Sequence, residues 1–152
     1  MPTNAKARME FSAGGVVYRR AKNGDFEIAF IHDQSKKWTF AKGHIEPGET
    51  NASAAKRETE EEMGLRDIEE KAFLGTIDFW FRDRYNTPGA LIKKRVYYFL
   101  FEAKGDTRGV PQREEKITAV KWVPIDKALE TIDFENTKVV LERAIEFLKK
   151  LL

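Results

Sequence analysis

Between Gly43 and Leu65 the chain reads GHIEPGETNASAAKRETEEEMGL, rich in glutamate and poor in apolar side chains. Set on a helix at roughly 100° per residue, Glu58, Glu61 and Glu62 fall within an arc of about 100°. No lysine interleaves them, and Lys56 and Glu60 form an i,i+4 pair that points the other way, toward solvent. Carboxylates crowded on one face repel one another unless a cation comes between them. They are hard oxygen ligands suited to Mg²⁺ or Mn²⁺, and Mg²⁺ commonly uses few protein carboxylates, completing its shell with water and phosphate. Spacing alone leaves two readings open, a divalent-metal site or a solvated acidic face.

The element that must position these acids is a helix over residues 50–63. Thr50 can cap it, alanine is frequent within it, and Gly64 ends it. Ala52, Thr59 and Met63 form its core stripe, while Ala54 and Ala55, one turn before the acids, leave room above them. Strands are expected at 13–20 and 26–31, around an Asn-Gly turn, followed by a short strand in KWTFAKG that runs out into the glutamate-rich stretch. Two more strands, FLGTIDFWFR and LIKKRVYYFLFEA, flank the turn sequence NTPG, and ITAVKWVPI is another. A short helix is expected over 126–130 and a longer one over 135–152, with Leu141, Ile145, Leu148 and Leu152 on one stripe. This order predicts a single α/β domain of the α+β type, 1–152, in which a mixed sheet carries helices on two sides.

Composition narrows the class. Of 152 residues, 41% are hydrophobic and 34% charged, as in soluble globular proteins. The N-terminal stretch lacks the apolar segment of a signal peptide, and no run is long enough to span a membrane, so a cytoplasmic protein is expected. Without cysteine, any metal ligand must be oxygen or histidine. The net charge of +2 argues against a nucleic-acid coat, but Arg82, Arg84, Lys93, Lys94 and Arg95 make a basic segment opposed only by Asp83.

Taken together, Gly43, Glu49, Arg57-Glu58, Glu61-Glu62, Gly64 and the aliphatic Leu65 resemble the Nudix box. Seven fixed positions at about 7% usage each would coincide by chance with a probability on the order of 10⁻⁸. One position departs: Thr59 stands where the family usually has an aliphatic residue. SAGGVVYRR, KWTFAKGHIEPGE and VKWVPIDKAL resemble the strands and helix that frame the box, so the resemblance covers nearly the whole chain. It implies the Nudix α/β/α sandwich and a metal-dependent pyrophosphohydrolase. Thr59 after Arg57-Glu58, and the Lys42-Gly43-His44 order, look most like the diadenosine tetraphosphate hydrolase branch.

Carried over residue by residue, the resemblance makes Glu58 and Glu62 the main ligands of Mg²⁺ or Mn²⁺, with Glu61 and the Gly43 carbonyl joining them. Glu49 and Arg57 would brace the loop against the helix. The general base is Glu61 or an acid of the loop before KITAVKW, Glu114 or Glu115, with Glu115 preferred. Lys42 is placed to reach phosphate, with Arg84 and Lys94 continuing a cationic track, and His44 is a further candidate. Strand alternation sets Ile77, Phe79 and Phe81 on a core face and leaves Trp80, with Tyr85 and Tyr97, to stack on a base. The expected substrate is a dinucleoside polyphosphate. A nucleoside triphosphate or an RNA 5′ end is the alternative, the latter being the one nucleic-acid partner foreseen, and a nucleotide sensor without catalysis is the non-enzymatic one. The ADP-ribose branch fits less well, for lack of its proline-containing signature downstream. The protein would act as a monomer or homodimer.

Overall fold

The computed structural model describes residues 8–104, 108–112 and 117–152. Its strands are β1 (Arg8–Arg20), β2 (Phe26–His32), β3 (Trp38–Thr39), β4 (Ala41–His44), β5 (Glu69–Arg82), β6 (Leu91–Glu102) and β7 (Ala119–Pro124). The helices are α1 (Asn51–Met63), α2 (Ala128–Thr131) after a single 3₁₀ turn, and α3 (Glu135–Lys149). The mixed sheet runs β3-β2-β1-β6-β5, with β4 on β1 and β7 on β2. Helix α3 contributes to the core on one face, with Val16, Tyr18, Phe30 and Leu100; α1 contributes on the other, with Ala13, Val17, Ile31 and Phe101. The expected layered architecture is thus observed. No described helix is long and apolar enough to cross a membrane.

β1 organises the site because its two edges are used differently. One edge pairs in parallel with β6 from Arg8 to Tyr18. The other forks: Ser12–Gly15 pair with β4, and Val17–Arg20 pair with β2. Two glycines permit the fork. A Cβ on Gly14 would strike the Ala41 carbonyl and lie 2.9 Å from Lys42 Cβ and the Tyr98 ring. One on Gly15 would lie 2.5 Å from Thr59 Oγ1 and 2.8 Å from the Phe101 ring. Bare backbone therefore lets β4 press in from the side and α1 from above.

Three local expectations change. Ala54 and Ala55 are fully buried in the core rather than open above the acids, because α1 packs directly on β1 and β4. Glu60 accepts a hydrogen bond from the Ile68 amide at 3.3 Å instead of pairing with Lys56, since the chain turns back beneath the helix end. Leu152 is 79% exposed, since α3 ends at Lys149 and the apolar stripe stops at Leu148.

Candidate active site

Helix α1 is stopped at both ends by local chemistry. Thr50 Oγ1 accepts from the Ser53 amide and Ser53 Oγ accepts from the Thr50 amide, each at 3.0 Å, a reciprocal cap. Gly64, at φ 63°, closes the other end, its amide bonding the Glu60 carbonyl. With its ends set, the helix delivers Arg57 and the acids to β4 at fixed heights.

Arg57 ties three segments together. Its guanidinium donates to both Glu49 oxygens at 2.8 Å, to the His44 carbonyl at 3.1 Å, to Glu58 Oε1 at 2.8 Å and to Glu61 Oε2 at 3.4 Å. Glu49 also accepts from the Glu46 amide at 2.9 Å, which closes the loop ahead of the helix. Arg57 and that amide hold the Glu49 carboxyl at about 2, and Glu49 in turn raises the Arg57 pKa. Both therefore stay ionised and clamp the loop to the helix.

Glu58 reaches down onto Gly43 so closely that a Cβ there would overlap its carboxyl group. One residue earlier, the Lys42 amide donates to Glu62 Oε2 at 3.3 Å. The acids thus run along the edge of β4, Glu58 largely shielded and Glu61 about half exposed. Among the described residues no three acidic or histidine side chains converge into a ready-made metal cage. The donors still fit a hard divalent cation, because they are carboxylate oxygens set beside a strand whose only side chain at that point is a hydrogen. Mg²⁺ needs few such ligands when water and phosphate supply the rest.

Beside Glu62 and Lys42 lies a cavity of about 360 Å³. Ile77 and Phe79 of β5, Tyr98 of β6, Phe40 and Phe134 form its apolar walls, and Asp33, Gln34 and Asn136 add polar groups. Lys42 Nζ stands 5.2 Å over the Phe79 ring. Burial pushes the Lys42 pKa down and Lys94 adds to the push, while Glu62 and Asp33 oppose it. Tyr98 is fully buried, which raises its phenol pKa, and the neighbouring Glu62 raises it further. A pocket that is apolar on one side, with a lysine and a carboxylate at its mouth, suits a nucleobase followed by phosphate.

The structure brings some of the expected residues to this place and not others. Gly43, Glu49, Arg57, Glu58 and Glu61 are joined through the Arg57 guanidinium and the Glu58–Gly43 contact, Glu62 reaches the neighbouring Lys42 amide, and Lys42 lines the cavity. Lys94, cross-strand from Phe79, has its Nζ 5.4 Å from the Phe81 ring on the same face. His44 contributes its carbonyl to Arg57, and the residue is exposed. Trp80 lies across the sheet from the cavity, because it alternates with Phe79 along β5. Tyr97 packs on the α1 side, and Arg84 and Tyr85 sit in the exposed loop after β5, Tyr85 at 87% exposure. The aromatic wall is instead Phe79, from the face expected to be core, together with Phe134. Nothing in the sequence around Phe134 and Asn136 signals this, since no motif surrounds the start of α3. Glu114 and Glu115 lie outside the described residues.

Comparisons with known proteins follow the same lines. The NUDIX domain model matches residues 11–143. The asymmetrical bis(5′-nucleosyl)-tetraphosphatase of Sus scrofa is 33% identical over 145 residues, covering 90% of this chain and 94% of its own length. A Mycobacterium tuberculosis chain that carries the name mutator protein MutT4 is 31% identical over 160 residues, covering 99% of this chain; the match spans 62% of its own length. Among solved structures, the C. elegans Ap4A hydrolase binary complex superposes with a TM-score of 0.73 at 22% identity, over 93% of this chain and 98% of that one.

Proposed function

The chain belongs to the NUDIX family, and from that membership we propose that it hydrolyses a phosphoanhydride bond in a dinucleoside polyphosphate, diadenosine tetraphosphate giving ATP and AMP. One observation carries the reading: the clamped acids of α1 open beside a nucleoside-sized cavity with Lys42 and Glu62 at its mouth. The 33% identity to a bis(5′-nucleosyl)-tetraphosphatase, nearly end to end, supports the choice of substrate.

In this mechanism Glu58, Glu62 and Glu61, with the Gly43 carbonyl, would hold Mg²⁺ or Mn²⁺. A cation bound there would supply neutralisation of phosphate oxygens and a more acidic attacking water. The protein's own groups do the rest. Arg57 and Glu49 keep the loop and helix from separating when charge accumulates at the site. Lys42 meets a phosphate oxygen at the cavity mouth, and Lys94 extends the cationic path. Phe79 and Phe134 flank the base and exclude water around it. A carboxylate, Glu61 or Glu115, takes the proton from the water as its oxygen attacks phosphorus and the P–O–P bridge breaks.

A panel of diadenosine tetraphosphate, nucleoside triphosphates, oxidised nucleotides and 5′-triphosphorylated RNA, each with Mg²⁺ and resolved by chromatography, tests this. ATP plus AMP as the preferred products supports it. Faster release of pyrophosphate from a triphosphate or from an RNA end would reassign the substrate.

A further inference from the structure

The α1 side of the sheet continues past the helix, toward the start of β1, and there it carries exposed aromatic and basic side chains in register. Met9, Lys93 and Trp80 form one row across β1, β6 and β5, and Phe11, Arg95 and Asp78 form the next. Ala13 and Tyr97, in the third row, pack into the core beneath α1, so alternation sets all these residues on that face. Met9 is 41% exposed, Phe11 44% and Trp80 52%. Lys93 Nζ stands 5.5 Å over the Trp80 ring and 3.8 Å from Asp78 Oδ2, and Arg95 grips Asp78 through two bonds of 2.8 and 3.0 Å. Arg82 follows Trp80 on the same face.

We propose that this face binds single-stranded nucleic acid. Exposed rings flanking a column of cations are what an unpaired strand needs: every base offers a face for stacking, and the backbone offers a phosphate to each cation. Trp80 and Phe11 are the stacking platforms, on either side of Lys93 and Arg95, which take the phosphates. A second copy of the chain is a poorer occupant. Two such faces would bring the Lys93–Arg95 columns toward each other, and the one acid among them, Asp78, is already shared by Arg95 and Lys93, which leaves each column with a net positive charge. The face lies across the sheet from the Lys42 cavity, so this binding is separate from the hydrolytic reading and survives its failure.

The 152-residue chain is titrated into fluorescein-labelled single-stranded RNA and DNA of about 15 nucleotides, read by anisotropy. Saturable binding that weakens as salt is raised is expected. Trp80→Ala should weaken it roughly fivefold or more, as loss of one stacking ring does. Lys93→Gln should flatten the slope of log affinity against log salt by about 0.7, one phosphate contact on a single strand. Lys149→Gln, an exposed cation at the end of α3, should change neither. Absence of saturable binding, or affinity and salt slope unchanged in both face variants, overturns the proposal. So does self-association of the wild type that Trp80→Ala abolishes, which gives the face to a second copy.

Discussion

Gly43→Ala tests the site at its tightest point. Gly43 is not among the glycines at positive φ, so alanine fits the backbone there without strain. The whole effect must come from its methyl group, which would overlap the Glu58 carboxyl. Relief requires moving that carboxyl on the order of 1 Å, and misplacing a catalytic group by that much costs about 10²-fold in rate. Overpacking adds about 1–3 kcal/mol of lost stability. The matched control is Gly24→Ala in the β1–β2 turn, at φ 88° with nothing near its Cβ, where strain alone costs about 1–2 kcal/mol. Urea titration gives both stabilities, turnover at saturating Mg²⁺ gives the rates, and Mn²⁺ titration followed by electron paramagnetic resonance gives metal affinity. Comparable losses of stability with a rate loss confined to Gly43→Ala are expected, together with weaker Mn²⁺ binding. Wild-type turnover in Gly43→Ala, or equal rate losses in both variants, would refute the assignment of Glu58 to the metal.

Glu62→Gln keeps the side chain's shape but removes its charge, so turnover should fall by orders of magnitude with the fold intact by circular dichroism; near-normal hydrolysis would remove Glu62 from the ligand set. The Glu49 carboxyl, held at about 2 against an ordinary 4.5, stabilises the fold fully above its unfolded value and loses that contribution as pH falls toward 2. Glu49→Gln should therefore flatten the dependence of stability on pH across that acid window and leave it unchanged near neutrality, as followed by urea midpoints at a series of pH values. Thr59 is fully buried and its hydroxyl has no hydrogen-bond partner among the described residues, so Thr59→Val should raise stability by about 1 kcal/mol, seen as a higher Tm.

Helix α1 was legible because its instructions are local. Thr50 and Gly64 set its ends, and the spacing of Glu58, Glu61 and Glu62 survives any packing that preserves a helix. Arg57 and Glu49 were legible only through the family pattern, since nothing local says that residues eight apart will meet. The aromatic wall of the cavity lies on the face not expected for it, for a definite reason. Alternation in TIDFWFR separates Phe79 from Trp80, but it does not say which side of the sheet is left hollow. That depends on where α3 and the loop before it come to rest, and on Lys42 emerging from β4 on the Phe79 side. Leu152 was misplaced for a related reason, as an apolar stripe does not report where its helix stops.

The forked strand also dictates an order of assembly. β1 meets β2 and β4 through short stretches of chain, and β5 meets β6 as a hairpin, so each of these units closes cheaply. The parallel seam between β1 and β6 joins Arg8 to Ile92 and must wait for the long chain between them to close. The glutamates and Gly43 lie in the first unit; Phe79 and Tyr98 lie in the second. Neither half is a site until the seam zips, with Gly14 against the Tyr98 ring as one of its teeth. Substitutions along that seam that spare Gly14, Lys94 and Tyr98 therefore act on the speed at which an active molecule appears, with little effect on the chemistry of those that have folded.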